Sequence, residues 1–136
     1  MVTRLNPYIS FGDSAREAMT FYQRALGGSL EMHTFGEYGA ANEPYADLVM
    51  HAMLQTEDGL VLMASDSPPG MSRTVGNNIT ISLSGDDEAL LRERFEKLAE
   101  GGSVDVPLEK QMWGDVFGQL TDRFGIGWLV DIAETA

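Results

Sequence analysis

The sequence predicts an α+β fold of two tandem βαβββ modules that encloses a pocket for a small molecule. Three observations lead there: two stretches with helical periodicity, short alternating strands set between turn signals, and an echo of the first half in the second.

The first helical stretch carries Ala15, Ala18, Met19, Tyr22, Ala25 and Leu26 on one stripe with a 3.6-residue period. Asp13 or Ser14 is placed to cap its first turn, and Ser14 to Glu17 fits a capping box. The second helix is expected from about Asp86 to Glu100. Leu91, Phe95, Leu98 and Ala99 form its stripe, and Asp86, Asp87 and Glu88 suit its positive N-terminal end. Strands are expected where apolar and polar residues alternate: Leu5 to Phe11, Ile79 to Leu83 and Gly127 to Ile132. Leu48 to Gln55 and Leu60 to Ser65 flank the turn signal Glu57-Asp58-Gly59, and Val116 to Thr121 precedes a second turn at Asp122 to Gly125.

The echo lies at the helix boundaries. Ala25-Leu26-Gly27-Gly28-Ser29-Leu30-Glu31-Met32 reappears as Ala99-Glu100-Gly101-Gly102-Ser103-Val104-Asp105-Val106. Paired glycines end each helix, where a left-handed residue carries no Cβ penalty. Phe11-Gly12-Asp13 and Ser84-Gly85-Asp86 open the two helices alike. The modules are assigned to residues 4–66 and 77–133, with 67–76 as a Pro/Gly linker inside one domain spanning 1–136. The first is longer by the loop Glu37 to Tyr45.

A chain of 136 residues with 43% hydrophobic content sustains its own core. The net charge of −12 opposes nucleic acid and anionic membrane surfaces, because both need a basic footprint. There is no cysteine, which removes disulfides, thiolate metal sites and thiol nucleophiles. No signal core or membrane-length apolar run is visible, so a cytoplasmic protein is expected.

Several fragments in order then carry a resemblance. They are Asn6 to Phe11, Ala18 to Tyr22, Leu26-Gly27-Gly28, Phe35-Gly36-Glu37, Val49 to Ala52, Leu62 to Asp66, Trp113 to Gly118 and Thr121 to Trp128. On these the chain resembles the vicinal oxygen chelate superfamily of glyoxalases, bleomycin-resistance proteins and extradiol dioxygenases, and within it the PhnB-like branch. The resemblance implies curled sheets around a cavity, one per module, with helices outside, a concave sheet face lining the pocket, and a homodimer.

Strand parity identifies the residues for that face. Asn6, Tyr8 and Ser10 oppose Leu5, Pro7, Ile9 and Phe11, while Asn78, Thr80 and Ser82 oppose Ile79, Ile81 and Leu83. A polar face is solvated in a generic antiparallel sheet; in this fold it becomes pocket lining. The resemblance implies a divalent metal held from the first and last strand of each module. Those positions read Asn6 (or Pro7), Met63, Asn78 and Leu129: a neutral amide, a soft thioether, a second amide and an alkyl group. No metal and no cofactor are therefore expected. His33 reads as a surface or rim residue. His51, on the side of Met53 and Gln55, reads as a hydrogen-bonded packing group and a pocket candidate. Asp66 is either a pocket carboxylate or the cap of the Ser-Pro-Pro turn, and Asp131, on the same side as Leu129, is a second candidate pocket carboxylate. Tyr8, Trp113 and Phe117 are candidates for an aromatic cavity mouth, Phe117 equally for core, whereas Trp128 and Val130 are assigned to the core.

The expected function is metal-independent binding, and possible sequestration, of a small apolar or cationic molecule. The alternative is a metal-dependent lyase, isomerase or dioxygenase with displaced ligands. A methyltransferase is disfavoured, since the paired glycines end helices instead of opening one after a strand.

Overall fold

The computed structural model describes residues 2–135. It divides into two compact units, the first ending at Thr74 and the second starting at Val75. The first unit contains β1 (Tyr8–Phe11), α1 (Ala15–Leu26), β2 (Ser29–Thr34), a short 3-10 turn (Gly36–Tyr38), β3 (Val49–Gln55) and β4 (Val61–Asp66). The second contains β5 (Ile81–Gly85), α2 (Glu88–Ala99), β6 (Ser103–Lys110), β7 (Val116–Thr121) and β8 (Gly127–Ile132). Each forms one four-stranded mixed sheet, ordered β1-β4-β3-β2 and β5-β8-β7-β6. The first strand runs parallel to the last in both units, and the remaining pairs are antiparallel. The duplicated βαβββ plan is present as two repeats of one topology.

Each helix covers one face of its own sheet. Ala15, Ala18, Met19, Phe21, Tyr22, Ala25 and Leu26 are the buried stripe of α1, and they pack on β2, β3 and β4. Val49, Ala52, Leu54, Leu62 and Ala64 supply the sheet side, all nearly solvent-free. A fully buried side chain the size of Leu54 or Met19 stabilises by about 1.5–3 kcal/mol through area removed from water. In the second unit Leu91, Phe95 and Leu98 of α2 meet Leu83, Leu120, Trp128, Val130 and Ile132. Trp128 and Val130 are core.

The two helices start differently. Asp87 caps α2, accepting a hydrogen bond from the Leu90 N–H at 3.2 Å. The capping box expected at Ser14 does not form: Ser14 is the N-cap residue but makes no side-chain cap bond. Buried Asp66 instead holds the N–H of the first helical residue, Ala15. Its Oδ1 accepts the Ala15 N–H at 2.8 Å and its Oδ2 the Val49 N–H at 2.8 Å. Asp66 therefore neither lines a pocket nor caps the Ser-Pro-Pro turn. It is the buried tie between the start of α1 and the start of β3.

The glycine pairs hold each module together at one point. Gly28, at φ +95°, has no room for a Cβ because the Gln55 carbonyl at the end of β3 lies against it. Gly102 meets the Thr121 carbonyl at the end of β7 in the same way. Only glycine lets these backbones approach so closely.

Two strands are shorter than their alternation suggests. β1 starts at Tyr8 and β5 at Ile81, so Leu5, Asn6, Asn78, Ile79 and Thr80 lie before the ladders. Leu5 and Ile79, expected to face the core, are 101% and 82% exposed. The ladders begin with the pairs Tyr8–Met63 and Ile81–Trp128, and upstream of them the alternation has no partner strand to act on.

Candidate functional site

With a helix on one face of each sheet, the functional candidates fall on the other. In the first unit, register places Tyr8, Met63, Met53 and Glu31 in one row across the four strands. One step along lie the pairs Ser10–Ser65 and His33–His51. A β-bulge follows, where Thr34 pairs with Val49 and Met50 is the extra residue. The half-exposed Tyr8 ring lies over His51, with centroids 5.8 Å apart at 29°, and its hydroxyl is 3.3 Å from His51 Nδ1. His33 Nδ1 lies 3.6 Å from Glu37 Oε2 and its ring meets Tyr38 edge-on at 5.8 Å.

Tyr8, Ser10, His51 and Met63 are thus brought together on one surface, and His33 joins them. Sequence reasoning put His33, whose side chain is 41% exposed, on the surface or rim but not beside His51. The signal that would have found it was parity, with Leu30 and Met32 on one side of β2 and Glu31 and His33 on the other; the partner across the ladder was not readable. Asn6 is not part of the row. Position by position, the residue opposite Met63 is Tyr8.

In the second unit Ser82, Leu129 and Gln119 form the matching row, and Ser84, Asp131 and Phe117 the next. The residue opposite Leu129 is accordingly Ser82, while Asn78 lies outside the strand. Phe117 and Trp113 meet at 6.2 Å in an edge-to-face contact, Trp113 being largely exposed. Asp131 Oδ1 is shut off from solvent without a hydrogen-bond partner. Burial pushes its carboxyl above the usual range, and the Asp115 carboxyl beside it adds to the shift. Asp115 Oδ1 in turn accepts the Glu134 N–H at 3.0 Å.

Further along the same unit, at the tight turn into β8, is a cavity of about 310 Å³. Thr80 lines it; Asn78, Ser82, Phe117, Leu129 and Asp131 do not. Its end wall is the turn itself. Asp122 Oδ1 accepts the N–H groups of Phe124 and Ile126 at 2.8 and 3.0 Å, and Asp122 Oδ2 accepts the Trp128 indole N–H at 2.9 Å.

Two repeats of this topology, helix outside and polar face opposite, match a known group of proteins. The family model described as the glyoxalase/bleomycin resistance protein/dioxygenase superfamily matches residues 4–130. The chain belongs to this superfamily. Protein YjdN of Escherichia coli K12 is 26% identical to it over 142 residues, covering 96% of this chain and 95% of its own. The crystal structure of protein PA1353 from Pseudomonas aeruginosa is similar at a TM-score of 0.85 and 39% identity, covering 98% and 100% of the two chains. A Bacillus cereus structure described as a putative 3-demethylubiquinone-9 3-methyltransferase, PhnB protein, aligns at a TM-score of 0.75 and 25% identity, with 96% and 100% covered.

The resemblance drawn from the sequence implies a divalent ion held from the first and last strand of each unit, and the donor chemistry can be tested against it. First-to-last-strand pairs are Tyr8–Met63 and Ser82–Leu129. A phenol, a thioether, an aliphatic hydroxyl and an alkyl side chain are poor partners for a hard or borderline cation. Among the described residues no group of three or more His, Asp or Glu side chains is placed to hold a metal ion. The residues at these positions do not fit the superfamily's metal.

Proposed function

We propose that this chain is a small-molecule-binding member of the superfamily that works without a divalent ion and holds its ligand against the open sheet faces. The observation that carries the reading is the donor set at the register positions above, where Tyr8, Met63, Ser82 and Leu129 stand in place of carboxylates and imidazoles. Aromatic and thioether surface with a few polar groups suits recognition of an organic molecule. Trp113 and Phe117 extend that surface in the second unit. Methyl transfer, suggested by the description of the Bacillus cereus relative, finds no glycine-rich turn between a strand and a following helix that would hold an adenosyl cofactor.

One observation favours the runner-up. His33 and His51 are cross-strand neighbours, two imidazoles from which a displaced metal site would start, although among the described residues no third ligand is placed to complete it. Elemental analysis of the purified protein after dialysis separates the two. The binding reading expects no stoichiometric divalent metal, and stabilisation of the fold by compounds from a small-molecule panel. A bound ion lost in His51→Ala would overturn it in favour of the metal enzyme.

The same reading takes the protein as a cytoplasmic homodimer, with the exposed Leu5 and Met112 available to a second copy. Analytical ultracentrifugation tests the assembly: a single species at monomer mass across micromolar concentrations would reject it.

A further inference from the structure

The cavity beside the β7–β8 turn has a chemistry of its own. Its walls combine apolar residues, Ile79, Ile126 and Trp128 among them, with the neutral hydrogen-bonding groups of Thr80 and Gln119. Asp105 is the one charged side chain among the described residues that line it. At about 310 Å³ it is the size of a compact organic molecule. We propose that this cavity binds a small molecule with a protonated nitrogen, an amine or guanidine on a compact apolar body, and that Asp105 is the anion that recognises it. The inference rests on the small-molecule reading above and names the ligand class for this one cavity.

The carboxylate is held ready for such a partner. Asp105 Oδ2 accepts the Thr121 hydroxyl at 2.7 Å and Oδ1 accepts the Ser103 hydroxyl at 3.1 Å, so one donor on each oxygen fixes its orientation. A carboxylate offers about four acceptor sites, which leaves room for an N–H donor on the cavity side. No lysine or arginine is among the described lining residues, so an anionic ligand would meet Asp105 uncompensated. The net charge of −12 acts in the same direction, raising the local concentration of cations at low salt. Because Asp105 is exposed, its attraction is screened by salt.

Three probes of one size separate the possibilities: benzylamine, benzyl alcohol and benzoate. The chain has two tryptophans, so in Trp113→Phe the cavity's own Trp128 is the sole indole and reports binding by fluorescence. The expected result is saturable binding of benzylamine, weakened about tenfold in Asp105→Asn by loss of a charge-assisted hydrogen bond, weaker in added salt, with little response to benzoate. If benzyl alcohol binds as tightly as benzylamine, or Asp105→Asn leaves the affinity unchanged, cation recognition is wrong while small-molecule binding stands. If none of the three moves Trp128 emission, the cavity is not a site, and the metal analysis and compound panel still decide the wider reading. Retained circular dichroism in Asp105→Asn and Trp113→Phe shows that both variants are folded.

Discussion

Replacing Asp66 by alanine tests the internal wiring of the first unit. The side chain is 5% exposed and each of its oxygens accepts one N–H at 2.8 Å, from Ala15 at the head of α1 and from Val49 at the head of β3. Removing the carboxylate strands two backbone donors. An unsatisfied buried donor costs about 1–3 kcal/mol, giving a total of roughly 2–6 kcal/mol, with the lower half favoured if water enters the space left behind. Asp66→Asn keeps one acceptor but turns its NH2 group toward the second N–H, so about half that loss is expected. Urea unfolding followed by far-UV circular dichroism measures both. With a urea dependence of about 1–3 kcal/mol per molar, an alanine loss of ~3 kcal/mol lowers the midpoint by about 1–3 M. An alanine variant within ~1 kcal/mol of wild type, or an asparagine variant as damaged as alanine, would refute the account of Asp66 as a two-armed tie.

Gly28→Ala is expected to cost about 2–4 kcal/mol, since overpacking and a positive φ add together, because its Cβ would collide with the Gln55 carbonyl; Gly27→Ala meets nothing within 4 Å and should cost distinctly less. Equal losses in thermal denaturation would remove the steric argument. Asp131, whose carboxyl is raised by burial and by Asp115, favours folding while protonated. That contribution is complete below the ordinary carboxylate pKa and is lost as pH rises through the raised value. Asp131→Asn should therefore gain melting temperature relative to wild type on going from pH 4 to pH 7, and a difference independent of pH would count against it. Tyr8→Ala should leave the melting temperature almost unchanged, since Tyr8 is 48% exposed, yet reduce the response to any compound that binds the first sheet; a collapsed fold would make Tyr8 part of the core.

Helical elements were legible because their stripes are local: the span Ala15 to Leu26 read from periodicity is the span of α1. Strand ends were less so, since a strand stops where its partner stops. Leu5 and Ile79 alternate correctly with their neighbours and still lie outside the ladders. Capping failed for a related reason. Ser14 has the right residue type, but its backbone at φ −110°, ψ 12° is not the extended one a capping residue uses, and the Ala15 N–H is held by Asp66, 51 positions away, a partner no local pattern reveals. For the candidate site, parity put Tyr8, Ser10, His51 and Met63 on one side, but only the register sets Tyr8 opposite Met63 and His33 opposite His51. The cavity at Asp105 was not foreseen, because it depends on how the lead-in to β5 crosses the ends of β7 and β8.

The parallel pairing of first with last strand in each module has a consequence for how the chain is made. β1 leaves the ribosome early, yet its partner β4 follows only after α1, β2 and β3 have emerged. Non-local parallel contacts of this kind are slow to close, whereas the β3–β4 hairpin needs only a short loop. Until β4 arrives, Tyr8 to Phe11 is an unpaired strand attached to a growing chain, open to pairing with the wrong edge. The second module repeats the situation with β5 and β8, at a time when β1 and β4 are already available to each other. The order of synthesis thus favours completing one module before the edge strand of the next appears, which limits exchange of first strands between two repeats of the same plan.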